Sequence, residues 1–132
     1  MRLNYQVHFE ESGKSEPRQH EKYIARVVAE YFESDIIFLR RASSKTPDLY
    51  VLKTNICWEL KSPQGGSKYT IQNNLREANK QSENVILDLT LSKLSDVQGV
   101  SRARKFVVGE RSRIKRLKVL TKKLQIIDIK DK

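Results

Sequence analysis

With one cysteine, Cys57, among 132 residues the chain cannot close an intrachain disulfide, and its two histidines offer no Cys/His spacing of the zinc-site kind. Cys57 therefore reads as a small apolar strand residue in a reducing compartment. Long apolar runs are missing too. Nowhere do 18 consecutive apolar residues occur, which excludes a membrane-spanning helix of the usual kind. The N-terminus, MRLNYQVHFE, alternates polar with apolar residues instead of following a basic segment with an apolar one, so no export signal is expected. Repeats, low-complexity tracts and linkers are also lacking. At this length, and 38% hydrophobic, the sequence predicts a single domain spanning 1–132 with one core.

Acidic residues are nearly absent from one stretch. Residues 1–100 hold 14 Lys/Arg against 13 Asp/Glu, whereas residues 101–123, SRARKFVVGERSRIKRLKVLTKK, hold ten Lys/Arg against the single Glu110. A charge run is usually a solvated face, but a net +9 in 23 residues makes a field suited to a polyanion. Nucleic acid is the expected partner, ahead of an acidic protein. A membrane surface ranks last, because no strong apolar helix face accompanies the charges. Within the run, Arg111, Arg113, Lys115 and Arg116 are the candidate phosphate contacts, joined from elsewhere by Arg40 and Arg41.

Periodicity supplies the scaffold. Leu3, Tyr5, Val7 and Phe9 alternate as a half-buried strand. Ser15 and Pro17 then introduce a helix over about 16–33, with Tyr23, Ile24, Val27, Val28, Tyr31 and Phe32 at helical spacing. DIIFLRR, PDLYVLK and NICWELK read as three short strands. Thr70 is placed to cap a helix burying Ile71, Leu75 and Ala78, and NVILDLTL returns as a strand. SKLSDVQG reads as loop, 100–109 as a short helix, and RLKVL-TKK-LQIIDIK as a closing hairpin. The expected class is α/β (α+β) with a mixed central sheet, an α-β-β-β-α-β core over about 16–90, and a basic C-terminal helix and hairpin.

TPDLYVLKTNICWELKSPQGG, residues 46–66, places Asp48, Glu59 and Lys61 in otherwise strand-like sequence. Buried charges need partners. Asp48 opens one strand and Glu59 closes the adjacent one, so a hairpin would bring both carboxylates to the same end of the sheet. Lys61 shares Glu59's face by the period of two. The bland alternative is a turn cap at Asp48 and an ordinary surface pair at Glu59 and Lys61, worth under about 1 kcal/mol. The chemistry such a cluster suits is phosphodiester hydrolysis assisted by a divalent metal, with Mg²⁺ or Mn²⁺ on the carboxylates and the lysine acting on water or on the scissile phosphate. Trp58 alternates with Glu59 and is expected in the core, while Tyr69 is the better base-stacking candidate.

Pro47-Asp48, ten residues, then Glu59-Leu60-Lys61 resembles the PD-(D/E)xK nuclease superfamily, and the element order resembles its restriction-endonuclease-like core. The resemblance implies a carboxylate from the first helix, for which Glu21 lies on the buried side whereas Glu30 and Glu33 do not. The implied metal ligands are Asp48, Glu59 and Glu21. It also implies a polar residue on the following helix, met by Gln81 or Gln72. WELKSPQG and YTIQNNLREANKQSENVILDL further resemble the C-terminal toxin domains of contact-dependent growth-inhibition proteins and related polymorphic or mobile-element toxins, over about residues 18–90. That likeness implies a bacterial nuclease, with tRNA or other structured RNA favoured over DNA, a cytoplasmic site of action and an acidic immunity protein. Some such domains have the barnase/EndoU/colicin/RelE-like fold and cut RNA without metal. His20, Lys61, Thr70 or the arginines would then carry the chemistry. A non-catalytic nucleic-acid-binding module and an acidic-partner adaptor are the alternatives outside the nucleases.

Overall fold

The short β-prone runs form strands that pair in chain order. The computed structural model describes residues 5–9, 19–39, 48–109 and 112–131. Seven strands make one mixed sheet in the order β1-β2-β3-β4-β5-β6-β7. Contacts divide the chain into two compact units, Met1–Trp58 and Glu59–Lys132. Strand β4 (Ile56–Lys61) contributes its first three residues to one unit and its last three to the other.

In the first unit, β1 (Val7–Phe9) pairs parallel with β2 (Ile36–Phe38), which pairs antiparallel with β3 (Leu49–Val51). Helix α1 (Gln19–Phe32) joins β1 to β2 and buries Ile24, Ala25, Val28 and Ala29. The stripe is therefore rotated from the one expected. The two small alanines let the helix come close, and the bulky Tyr23 and Tyr31 are left exposed. The helix ends on a Schellman motif. The Ser34 N–H donates to the Ala29 carbonyl and the Glu33 N–H to that of Glu30, with Glu33 at φ 51°. The hairpin to β4 sets Leu49 opposite Trp58, and Asn55 supplies its left-handed residue at φ 60°. Trp58 is 2% exposed and packs 5.4 Å from Phe32, in the core as expected.

The second unit is built from two successive parallel crossovers. Helix α2 (Thr70–Gln81) leads from β4 to β5 (Asn84–Asp88), and α3 (Asp96–Gly109) leads from β5 to β6 (Arg116–Leu120). The expected hairpin follows, with β7 (Ile126–Asp131) antiparallel to β6. Ile71, Leu75 and Ala78 of α2 share one core with Ala103 and Phe106 of α3, Val85 and Leu87 of β5, and Leu117 and Val119 of β6. Alternation along the strands thus gives both helices the same face of the sheet.

Two local expectations are corrected. SKLSDVQG is half helical, because Ser95 and Gln98 form a reciprocal capping box. The Ser95 hydroxyl accepts from the Gln98 N–H at 3.1 Å, and the Gln98 side-chain oxygen accepts from the Ser95 N–H at 3.1 Å. This start four residues early gives α3 14 residues. Thr70 is the first helical residue instead of the cap. Tyr69 holds the N-cap position without a side-chain capping bond, and the Thr70 hydroxyl meets that of Ser67.

Candidate functional site

Along β4 the period of two sends Glu59 and Lys61 to one side. In the parallel register Glu59 lies beside Val85 and Lys61 beside Leu87, so this side is the one that carries α2 and α3. Lys61 Nζ stands 3.5 Å from Glu59 Oε2, with Glu59 fully buried and the Lys61 side chain 20% exposed. A carboxylate removed from water needs hydrogen-bond donors or a nearby positive charge, and the lysine supplies the charge while keeping a route to solvent. The shared face expected of these two residues is present, and burial sets their ion pair apart from the ordinary surface pair of the alternative reading.

The other candidates fall as follows. Asp48 is buried at the head of β3, where its N–H donates to the Trp58 carbonyl at 3.1 Å and its carbonyl accepts from the Leu39 N–H at 2.7 Å. Glu21 is half-buried in the first turn of α1, one turn before Ile24 and Ala25. Both belong to the first unit, and Glu59 and Lys61 to the second. Gln72 and Gln81 lie nine residues apart on α2, about 13 Å along its axis, so a single compact site takes only one of them. Arg40, Arg41 and Arg111 lie outside the described residues. Burial pushes the Cys57 thiol above its ordinary value, as suits a half-buried strand residue.

Among the described residues no group of three or more His, Cys, Asp or Glu side chains is placed to hold a metal ion. Mg²⁺ does not demand such a cage, because it is commonly held by one or two carboxylates together with water and substrate phosphates. Glu59 is an oxygen donor of that kind.

The basic run separates into two sets. Lys115 pairs with Glu83 at 3.2 Å, Arg116 with Asp131 at 3.5 Å and with the Asn84 side-chain oxygen at 3.0 Å, and buried Lys118 with Asp128. Lys122 Nζ donates to the carbonyls of Leu89 and Ser92, both at 2.6 Å. These four cations are committed to holding the second unit together. Arg102, Arg104, Lys105, Arg113 and Lys123 have no carboxylate partner among the described residues, which makes them the free positive charge of the segment.

One buried carboxylate was not anticipated as a site residue. Asp88 ends β5 fully buried, accepting from the Ser62 hydroxyl at 2.8 Å and from the Thr90 N–H and hydroxyl at 2.9 and 2.6 Å. Three donors around one carboxylate tie the loop after β4 to the loop after β5. The signal in the sequence was an acidic residue closing a run of apolar strand positions, with a Thr two residues on.

Comparison with known proteins adds two findings. Residues 45–126 match the family described as the contact-dependent growth inhibition CdiA C-terminal domain. The fold is similar to that in a solved CdiA-CT/CdiI toxin and immunity complex from Burkholderia pseudomallei, with a TM-score of 0.68 at 15% identity over 95% of this chain and 98% of the other. No curated protein matches the sequence.

Proposed function

The chain belongs to the contact-dependent growth inhibition CdiA C-terminal domain family, and from that premise we propose that it is a toxin domain acting as an endonuclease on structured RNA, with tRNA the favoured class. The observation that carries the chemistry is the ion pair of buried Glu59 with partly exposed Lys61. Held by Glu59, the Lys61 ammonium would position the attacking water or neutralise the charge developing on the scissile phosphate. Glu59 is the proposed carboxylate for Mg²⁺ or Mn²⁺ in the second unit, with water and substrate phosphates completing the shell and Gln81 as the polar residue on the following helix; Asp48 and Glu21 of the first unit are candidates that substitution tests separately. When bound, the ion would supply charge neutralisation and an acidified water. Arg113, with the unpaired Arg102 and Lys105, would hold the phosphate backbone, whereas Lys115 and Arg116 could do so only by sharing or giving up their ion pairs.

Among the described residues, no helix is long and apolar enough to cross a membrane. The proposed place of action is the cytoplasm, where tRNA is found. The structural neighbour is a toxin and immunity complex, and we extend that arrangement to this chain as an acidic immunity protein covering the unpaired basic surface.

The test is cleavage of total tRNA, generic RNA and plasmid DNA by the purified protein with Mg²⁺, Mn²⁺ or EDTA, alongside Asp48→Ala and Lys61→Ala. Metal-dependent cutting of tRNA lost in both variants supports the proposal. Cutting that survives EDTA removes the metal and favours the second reading, metal-free RNA cleavage, consistent with the lack of a three-ligand cluster among the described residues. Salt-sensitive binding with no cutting by folded protein replaces the nuclease with a binding module.

A further inference from the structure

The second unit contains a cleft of about 260 Å³ formed by the start of α2 and one face of α3, lined by Lys68, Gln72, Arg102, Lys105, Phe106 and Gly109. Three cations and an amide surround it, and among the described residues no acidic side chain lines it. None of Lys68, Arg102 and Lys105 has a carboxylate partner among the described residues, although the same unit pairs off Lys115, Arg116 and Lys118. Gathering three like charges without a counterion is unfavourable, so the arrangement is that of a receptor for an anion.

Helical spacing produces it. Arg102, Lys105, Phe106 and Gly109 follow at i, i+3, i+4 and i+7, which places them on one side of α3. Phe106 is 4% exposed and gives the cleft an apolar floor. Gly109 at the rim adds no side chain, and an added Cβ there would meet nothing within 4 Å. From the other wall, Lys68 and Gln72 flank the beginning of α2. That helix has no acidic residue in its first turn and no capping side chain, so the positive end of its dipole is not offset locally.

We propose that this cleft is a backbone-phosphate subsite, which seats one phosphodiester of a nucleic-acid strand between Lys68 and the Arg102–Lys105 pair. The Arg102 guanidinium provides a planar fork suited to two phosphate oxygens, and Gln72 provides a neutral donor beside it. The volume lies just under the roughly 300–1,000 Å³ of ordinary small-molecule pockets, which suits a phosphate with its adjoining sugar. Tyr69, 55% exposed with Lys68 Nζ 5.1 Å from its ring centroid, stands next in the chain as a face on which a neighbouring base can stack. This inference rests on the nucleic-acid substrate of the proposed function, but it makes its own claim about where the strand lies.

The experiment compares wild-type protein with the double variant Arg102→Gln/Lys105→Gln and with Lys68→Gln. The control double variant Arg104→Gln/Lys123→Gln removes the same charge from exposed positions of the same basic segment, outside the cleft. The probe is a fluorescein-labelled 2′-O-methyl RNA oligonucleotide, which resists attack by its own 2′ oxygen. Anisotropy is read over a NaCl series, with EDTA present and thermal melts verifying the fold. The expected result is a roughly tenfold or greater loss of affinity in both cleft variants and a salt slope shallower by about one unit, with a clearly smaller loss in the control. Equal losses in cleft and control variants would reduce the cleft to part of a general field and overturn the subsite. Wild-type cleavage of tRNA without any effect of the cleft variants would do the same, leaving the nuclease intact. Conversely, cleft-dependent binding by a protein that cuts nothing would keep the subsite and remove the nuclease.

Discussion

Replacing Lys61 by Met tests the Glu59–Lys61 pair most directly, because an unbranched apolar stem only one atom shorter remains while the ammonium, with its charge and donors, is lost. At 3.5 Å the two charges attract by about 5 kcal/mol for an effective dielectric constant near 20. Part of that gain offsets the cost of taking the ammonium four-fifths out of water. Removing one member of a fully buried pair costs about 3–5 kcal/mol. Since Lys61 retains some exposure, a loss of about 2–4 kcal/mol is expected for Lys61→Met, and less for the double variant Glu59→Gln/Lys61→Met, which leaves no uncompensated charge. Urea unfolding followed by the fluorescence of Trp58, the single tryptophan and a buried one, gives these energies. Cleavage of tRNA measured where each variant is more than about 95% folded separates catalysis from stability. There Lys61→Met should lose about 100-fold or more. A variant within about 0.5 kcal/mol of wild type, or single-site losses that simply add in the double variant, would refute the energetic argument, and an unchanged cleavage rate would refute the catalytic one.

Other outcomes follow from the same structure. Gly99→Ala should destabilise by about 1–3 kcal/mol in urea or thermal melts, because an added Cβ would lie 2.5 Å from Cδ1 of fully buried Leu89. Glu33→Gly should stabilise by about 0.5–1 kcal/mol, since φ 51° at the α1 C-terminus strains any residue with a Cβ; a loss of thermal stability would contradict this. Lys122→Met should cost about 1–2 kcal/mol by freeing the carbonyls of Leu89 and Ser92, yet change RNA affinity less than Arg113→Ala does in a filter-binding salt series. Burial raises the pKa of Cys57, so its thiolate fraction at pH 8 is below that of a free cysteine. Alkylation by iodoacetamide should be correspondingly slow in the native protein and recover in urea.

The local signals in this sequence were strong wherever one short-range pattern dominated. Alternation and β-branching marked all seven strands, and the period of two was enough to put Glu59 and Lys61 on one side of β4 because the pleat of a strand leaves no other choice. The start of α3 was legible in principle from Ser95 and Gln98, but a glycine inside the first turn and the polar string around it masked the capping box. Only the packed structure explains that glycine, since Leu89 occupies the space a side chain would need. The Schellman end of α1 was hidden for the opposite reason, because Glu33 holds a position where glycine would have announced it.

Charge is where sequence and tertiary structure divided the work. The sequence by itself determined that ten cations crowd residues 101–123, and hence that the segment makes a positive field of a kind suited to a polyanion. It could not determine which of them are available, because the partners of Lys115, Arg116 and Lys118 lie between 10 and 32 residues away in the chain and meet them only through sheet pairing and loop closure. Composition also could not place Lys68 beside Arg102 and Lys105, 34 and 37 residues further on, since that juxtaposition follows from how α2 and α3 share one face of the sheet. Periodicity fixes the direction of a side chain relative to its own element, and only packing fixes what it meets.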